Sequence, residues 1–197
     1  MTGAWSTLAA EIRSCVACPE LVAARTRVVV GDPPAYGDPG GRVRLAFVGE
    51  APGAQEDAAG RPFVGKAGQL LDQLLTDSGL ARAEVAVLNV VKCRPPHNRP
   101  PRADEVARCR PYLCQQLDLL RPRLVVALGL TAAAWFLGRR TSLAAARGTV
   151  HRADGRPVIA TYHPSAAIRF GPNGAPLAAL REDLDFAARL LAEEATA

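Results

Sequence analysis

The chain has 197 residues, 49% apolar and 22% charged, with 24 Lys and Arg against 19 Asp and Glu. These values exclude a disordered or low-complexity chain, and the length suits one hydrophobic core. The longest apolar run, residues 124–138, is interrupted by Thr131 and falls short of the ~18–20 residues that cross a bilayer, so no membrane span is expected.

The first fifteen residues contain Glu11 and no basic stretch ahead of an apolar one, so no signal peptide and a cytoplasmic location are expected. Residues 31–42, GDPPAYGDPGGR, read as an exposed loop. After them apolar runs alternate with helical patterns. Residues 43–49 predict a buried strand. Residues 68–78 predict a helix, with Leu70, Leu71, Leu74 and Leu75 at helical spacing and Gly79 as its stop. Residues 85–91 predict a second strand whose one polar member is Asn89. Residues 102–120 predict a helix kinked or restarted at Pro111 and ended by Pro122. A third strand over 124–128, a helix over 131–137, a fourth strand over 158–162 and a last amphipathic helix over 177–193 complete the pattern. This alternation predicts an α/β three-layer sandwich, a central four-stranded parallel sheet covered by helices on both faces. In such sheets a ligand sits outside the carboxyl ends of the strands. The unusual segments EAPGAQED, KCRPP and HPSAA follow the first, second and fourth strands.

The five cysteines are Cys15, Cys18, Cys93, Cys109 and Cys114, an odd number that argues against a disulfide framework. Cys15-x2-Cys18 together with Cys93 and Cys109 forms a four-thiolate set that suits either structural zinc or an iron–sulfur cluster. The wide second spacing favours a cluster, with two unrelated core cysteines as the plain alternative. Cys114 falls on another helix face and is read as core. Gly60 to Lys66 imitates a phosphate-binding G-x4-G-K loop, but Ala67 stands where a Mg²⁺-holding Ser or Thr is required and no strand precedes it, which argues against a nucleotide triphosphatase.

Of the 24 basic residues 22 are arginine, a type suited to gripping phosphate. Arg94, Arg99, Arg102, Arg108 and Arg110 crowd one stretch and read as a phosphate-binding surface. Glu50, Glu56 and Asp57 put three carboxylates at a strand end, where capping and general-base roles compete. Asn89 in an apolar strand needs a partner, either backbone or a ligand edge. His163 before Pro164 has the same two readings. His97 and His151 read as solvated.

Read together, GEAPGAQEDAAGRPFVGKAGQLL at 49–71, NVVKCRPPHNRPP at 89–101, CRPY at 109–112 and HPSAAIR at 163–169, with Cys15-x2-Cys18, resemble the family 4, iron–sulfur uracil-DNA glycosylases. Ile168 stands where the family usually has Leu before Arg, and the 31–42 loop is longer than usual. The His-bearing insertion of a covalent-trapping branch has no counterpart between Cys93 and Cys109.

The resemblance implies one domain over residues 1–197, acting as a monomer. It implies a [4Fe–4S] cluster on Cys15, Cys18, Cys93 and Cys109, and removal of uracil from single- or double-stranded DNA. It assigns catalysis to Glu50 and His163 and uracil binding to Glu50, Ala51, Pro52, Phe63, Asn89 and His163. DNA contacts fall to Arg94, Arg99, Ile168 and Arg169, with Glu56 and Asp57 as reserve candidates for the water-activating carboxylate. Two rival readings are a non-catalytic, metal-stapled nucleic-acid binder and a cluster protein that senses or transfers electrons.

Overall fold

The computed structural model describes residues 2–35, 42–138 and 142–193. Two helices, α1 (Thr2–Ser14) and α2 (Pro19–Ala24), precede the sheet. Strand β1 (Leu45–Gly49) leads through α3 (Ala54–Ala59) and α4 (Lys66–Asp77) to β2 (Val85–Asn89). Helix α5 (Ala103–Leu120) then crosses to β3 (Leu124–Leu128), which is followed by α6 (Leu130–Leu137) and α7 (Leu143–Ala146). A hairpin of β4 (His151–Ala153) and β5 (Arg156–Thr161) precedes α8 (Pro164–Phe170) and α9 (Ala175–Glu193). No helix among the described residues is long and apolar enough to cross a membrane.

The strand order is β2-β1-β3-β5-β4. The first four are parallel, as the sequence predicts, and their apolar runs are buried because helices cover both faces. Alternation along each strand divides the core in two. Leu45, Phe47, Val87 and Val126 face Leu71, Leu74 and Leu75 of α4 and Leu180 and Leu184 of α9. Ala46, Val48, Leu88 and Val125 face Leu113 and Leu117 of α5 and Trp135 of α6. Helix α1 adds Leu8 and Ile12 to a third cluster against Tyr112 and Leu119 of α5.

Three expectations change. The sheet has a fifth strand, β4, antiparallel to β5. Its three residues are too short and too polar to show a period, but the two-residue Asp154-Gly155 turn is a hairpin signal, and both residues take positive φ (47° and 75°) as a type I′ turn requires. Helix α5 runs through Pro111 as one element; Pro111 lies on the exposed side, where water can satisfy the carbonyl that loses its N–H partner. His151 is half-buried in β4, and its Nε2 lies 2.9 Å from the Ala146 carbonyl oxygen, so it ties α7 to the hairpin instead of facing solvent. Cys114 packs against the second core cluster as expected. Residues 36–41 of the loop expected over 31–42 lie outside the described residues; Asp32, at its start, bridges to Val87.

Candidate active site

The chain leaves β1 for β2 on one side and returns to β3 on the other, so the carboxyl ends of β1 and β3 part at a topological switch point. A cavity of about 500 Å³ opens there. Its walls come from the ends of all four parallel strands: Glu50 after β1, Asn89 of β2, Leu128 of β3, and Tyr162 and His163 after β5. Ala51, Pro52, Phe63, Arg99 and Arg169 also line it. Arg94 and Ile168 do not. Arg94 spends its Nε–H on Asn98 Oδ1 at 2.7 Å, and Ile168 is 44% exposed on α8.

The pocket floor is set by Gly49. A Cβ there would lie 2.6 Å from Asn89 Oδ1 and 2.8 Å from Phe63 Cζ, so the absent side chain lets the amide and the ring share the floor. Phe63 sits at φ 52°, a left-handed conformation that costs a bulky residue of order 1–3 kcal/mol. Its backbone is clamped from behind by α4, where a Cβ on Gly68 would lie 1.8 Å from the Phe63 carbonyl oxygen. Asn89 is 2% exposed, and its Oδ1 has no hydrogen-bond partner among the described residues. Leaving a buried acceptor unpaired costs about 1–3 kcal/mol, so the fold holds this amide ready for a donor.

His163 caps α8. Its Nδ1 accepts from the Ser165 backbone N–H at 3.1 Å and lies 2.8 Å from Ser165 Oγ. A nitrogen that accepts from an amide carries no proton, so in the neutral ring the proton is on Nε2. Burial pushes the His163 pKa down to about 4, with the Glu56 carboxylate pulling the other way, so the ring is neutral near pH 7. Its centroid is 5.4 Å from that of Phe63, the two planes tilted by 36°.

The three carboxylates separate by what they already hold. Glu56 Oε1 accepts from the backbone N–H groups of Val64 (3.0 Å) and Gly65 (2.9 Å), and Oε2 from Gly53 (3.2 Å). Asp57 is buried and accepts from the backbone N–H groups of Thr26 and Arg27. Both hold loops through these bonds, and Glu56 also lines the cavity. Glu50 faces the cavity; the Thr131 hydroxyl donates to its Oε2, and Oε1 makes no protein bond among the described residues.

Behind the pocket lies a second hollow, lined by Cys15, Cys18, Cys93 and Cys109 with Arg25, Lys92 and Glu105. Arg25 NH1 donates to Cys93 Sγ at 2.9 Å. Burial pushes up the thiols of Cys18 and Cys93, and that of Cys109 to about 11. Burial pushes the Lys92 ammonium down to about 8 against the opposing pull of Cys109 and Cys93. Among the described residues no three His, Cys, Asp or Glu side chains stand close enough to hold a single ion as they are. Four thiols facing one hollow beside Arg25, Lys92 and Arg108 form a soft donor set that fits a group bound as four thiolates.

The arginine-rich stretch carries many contacts within the protein. Arg99 forks onto Glu105 (2.9 and 2.7 Å) and also reaches Glu20. Arg102 pairs with Glu20, Arg108 reaches Asp104 and the Ala17 carbonyl, and Arg110 lies 4.3 Å from the Trp135 ring centroid. These guanidiniums are already in use.

Sequence reasoning did not single out Thr131, Ser165, Gly49, Arg25 or Lys92. Ser165 was within reach, since a Ser two positions after a helix-capping His is placed to bond it. Thr131 and Arg25 act across the fold, on Glu50 and Cys93, and carry no local signal.

Residues 34–185 match the model of the uracil DNA glycosylase superfamily. The chain is 45% identical over 163 residues to a type-4 uracil-DNA glycosylase of Thermotoga maritima, covering 81% of this chain and 80% of that protein. It is 45% identical over 168 residues to a type-4 uracil-DNA glycosylase of Pyrobaculum aerophilum, covering 80% and 81%. A type-5 uracil-DNA glycosylase of the same organism is 37% identical over 183 residues, covering 77% and 78%. The chain thus belongs to the uracil-DNA glycosylase superfamily, among its type-4 members.

Proposed function

We propose that this chain is a uracil-DNA glycosylase that hydrolyses the bond between uracil N1 and deoxyribose C1′ in DNA, releasing uracil and leaving an abasic site. The observation that carries the reading is the buried Oδ1 of Asn89, without a partner among the described residues, in the cavity that Phe63 and His163 also line. A base inside a duplex is out of reach, so the target nucleotide is flipped into the cavity and stacks on Phe63. Asn89 Oδ1 accepts from uracil N3–H, and its amide NH2 donates to O4. Cytosine presents an acceptor at N3 and a donor at the 4-position, which mispairs both amide atoms at about 1–3 kcal/mol for each group left unsatisfied.

As the glycosidic bond breaks, the sugar becomes oxocarbenium-like and negative charge grows on uracil. The neutral His163 ring donates from Nε2 to uracil O2, where that charge develops; one such donor is worth about 2.7–4 kcal/mol of barrier. Its low pKa suits this work, because it donates a hydrogen bond without having to lose a proton. Glu50, oriented by Thr131, holds the attacking water and faces the cationic sugar, with the backbone at Ala51 and Pro52 completing that wall. Ile168 fills the vacated stack, while Arg169 and Arg94 contact phosphate.

Cys15, Cys18, Cys93 and Cys109 would hold a [4Fe–4S] cluster, which when bound supplies a structural clamp, since hydrolysis consumes no electrons. The enzyme works as a monomer in the cytoplasm.

The test is base release from single-stranded oligonucleotides that carry uracil, thymine or hypoxanthine. Free uracil with an intact thymine substrate is expected. Tight DNA binding with no base released would instead identify a non-catalytic, metal-stapled binder.

A further inference from the structure

Lys92 has no part in the chemistry above, yet its side chain is only 1% exposed. No carboxylate pairs with it among the described residues. Its ammonium donates to the backbone oxygen of Asn89 at 2.7 Å, and the residue lines the second hollow together with Cys93, Cys109, Arg25, Arg108 and Glu105. A buried cation without a paired anion is costly, and cysteines that bind a group as thiolates would bring negative charge beside it.

The bond to Asn89 follows from topology. β2 is an edge strand paired with β1 alone. Alternation sends the backbone groups of Val87 and Asn89 to the same outer side. Val87 satisfies both of its groups with Asp32, at 2.9 Å each. At Asn89 the partner strand has run out, and the Lys92 ammonium takes the orphan carbonyl. The Lys92 carbonyl in turn accepts from Val29 N–H at 2.8 Å, and the next residue, Cys93, accepts from Arg25. One five-residue stretch therefore carries the base-reading amide at its start and a thiol of the second hollow at its end, with a buried cation between them.

We propose that Lys92 is a positioning residue that couples the two hollows: its side chain fixes the Asn89 end of β2 from behind, and its charge balances the thiolates and the group they bind. This rests on the reading of the pocket as a uracil site and of the four cysteines as ligands. Two variants separate bond from charge. Lys92→Met removes both, whereas Lys92→Gln keeps a donor amide without charge.

The measurements are bound metal per chain, its rate of loss to a chelator in air, and kcat and KM on uracil-containing oligonucleotide. Lys92→Met is expected to lose metal at least tenfold faster and to raise KM severalfold with kcat little changed. Lys92→Gln is expected to recover KM but not metal retention. Parent-like metal retention and KM in Lys92→Met, or equal losses in both variants, would overturn the proposal.

If neither variant folds, hydrogen exchange on the parent before and after metal removal decides. Faster exchange at the amides of 89–92 with 163–167 unchanged supports the coupling, and unchanged exchange at 89–92 overturns it. The metal and exchange measurements do not depend on base release. A parent that frees no uracil therefore sinks the functional reading while these arms still judge Lys92.

Discussion

The pocket and the ion-pair web of Arg99, Arg102 and Arg108 both gather polar side chains and use them in opposite ways. In the pocket, Asn89 Oδ1 and Glu50 Oε1 have no protein partner among the described residues, and the His163 ring keeps its Nε2–H free of the Ser165 bonds. In the arginine stretch Glu105, 2% exposed, is gripped by both nitrogens of the Arg99 fork and by the Arg102 backbone, and Glu20 bridges the two arginines. Arg99 first among its neighbours holds the Glu105 carboxyl below the usual range. The first region is preorganised for something absent from the chain; the second is complete in itself. Charge counted along a sequence is therefore a poor guide to charge available for binding, and the useful marker is a buried polar atom with nothing opposite it.

The largest effect that would break this contrast lies at His163. His163→Ala is expected to slow single-turnover uracil release by about 10²–10³ with DNA affinity held within a few-fold. An equal loss of affinity would make His163 a scaffold residue, like those of the arginine stretch. Its titration sharpens the point. The folded ring takes its proton near pH 4 against 6.5 for a free imidazole. Between those values the unfolded chain binds more protons than the folded one, so stability is at its full value above pH 6.5 and falls as pH drops toward 4. Over pH 5–8 the ring stays neutral, and the rate should show no step at 6.5. A histidine NMR titration with a midpoint near 6.5 would contradict this.

Next in size is Asn89→Asp. A carboxylate keeps an acceptor for uracil N3–H but loses the donor to O4, and it welcomes the amino group of cytosine. Discrimination of uracil over cytosine should shrink by about 1–3 kcal/mol, or roughly 5- to 150-fold, read as the ratio of kcat/KM on the two substrates. Unchanged discrimination would mean that Asn89 is satisfied by the protein after all.

Asn89 also shows what the sequence reveals and what it hides. The four parallel strands were legible because each carries a short, mostly apolar run, and a single Asn at the end of one such run stands out. Glu50, Glu56 and Asp57 did not sort themselves. All three follow one strand within eight positions, and only the fold shows that Thr26, Arg27, Val64 and Gly65 arrive to occupy two of them. The ion pairs of the arginine stretch stayed hidden for the same reason, since Glu20 lies 79 positions from Arg99. Helix α1 was not read because its apolar residues are diluted by Ala and Ser and meet their partners, Val30 and Tyr112, far along the chain. Local pattern finds buried strands, whereas which polar group is left unpaired is a long-range result.

The smallest effect on binding separates the two kinds of arginine. Arg169 sits on α8 at the pocket mouth with no ion pair among the described residues, its guanidinium 5.7 Å from the ring of Phe170, which is 65% exposed. A phosphate meeting Arg169 displaces no protein partner, whereas one meeting Arg99 must first break two bonds to a buried carboxylate. Arg169→Ala should weaken binding to a single-stranded uracil oligonucleotide and reduce the slope of log affinity against log salt by about 0.7, the share of one phosphate contact. Arg99→Ala should leave that slope in place and lower stability by about 1–3 kcal/mol, because Glu105 then keeps the Arg102 contacts but loses its fork. The comparison collapses if Arg99→Ala flattens the salt response at unchanged stability, for then the ion-pair web releases its charges to DNA.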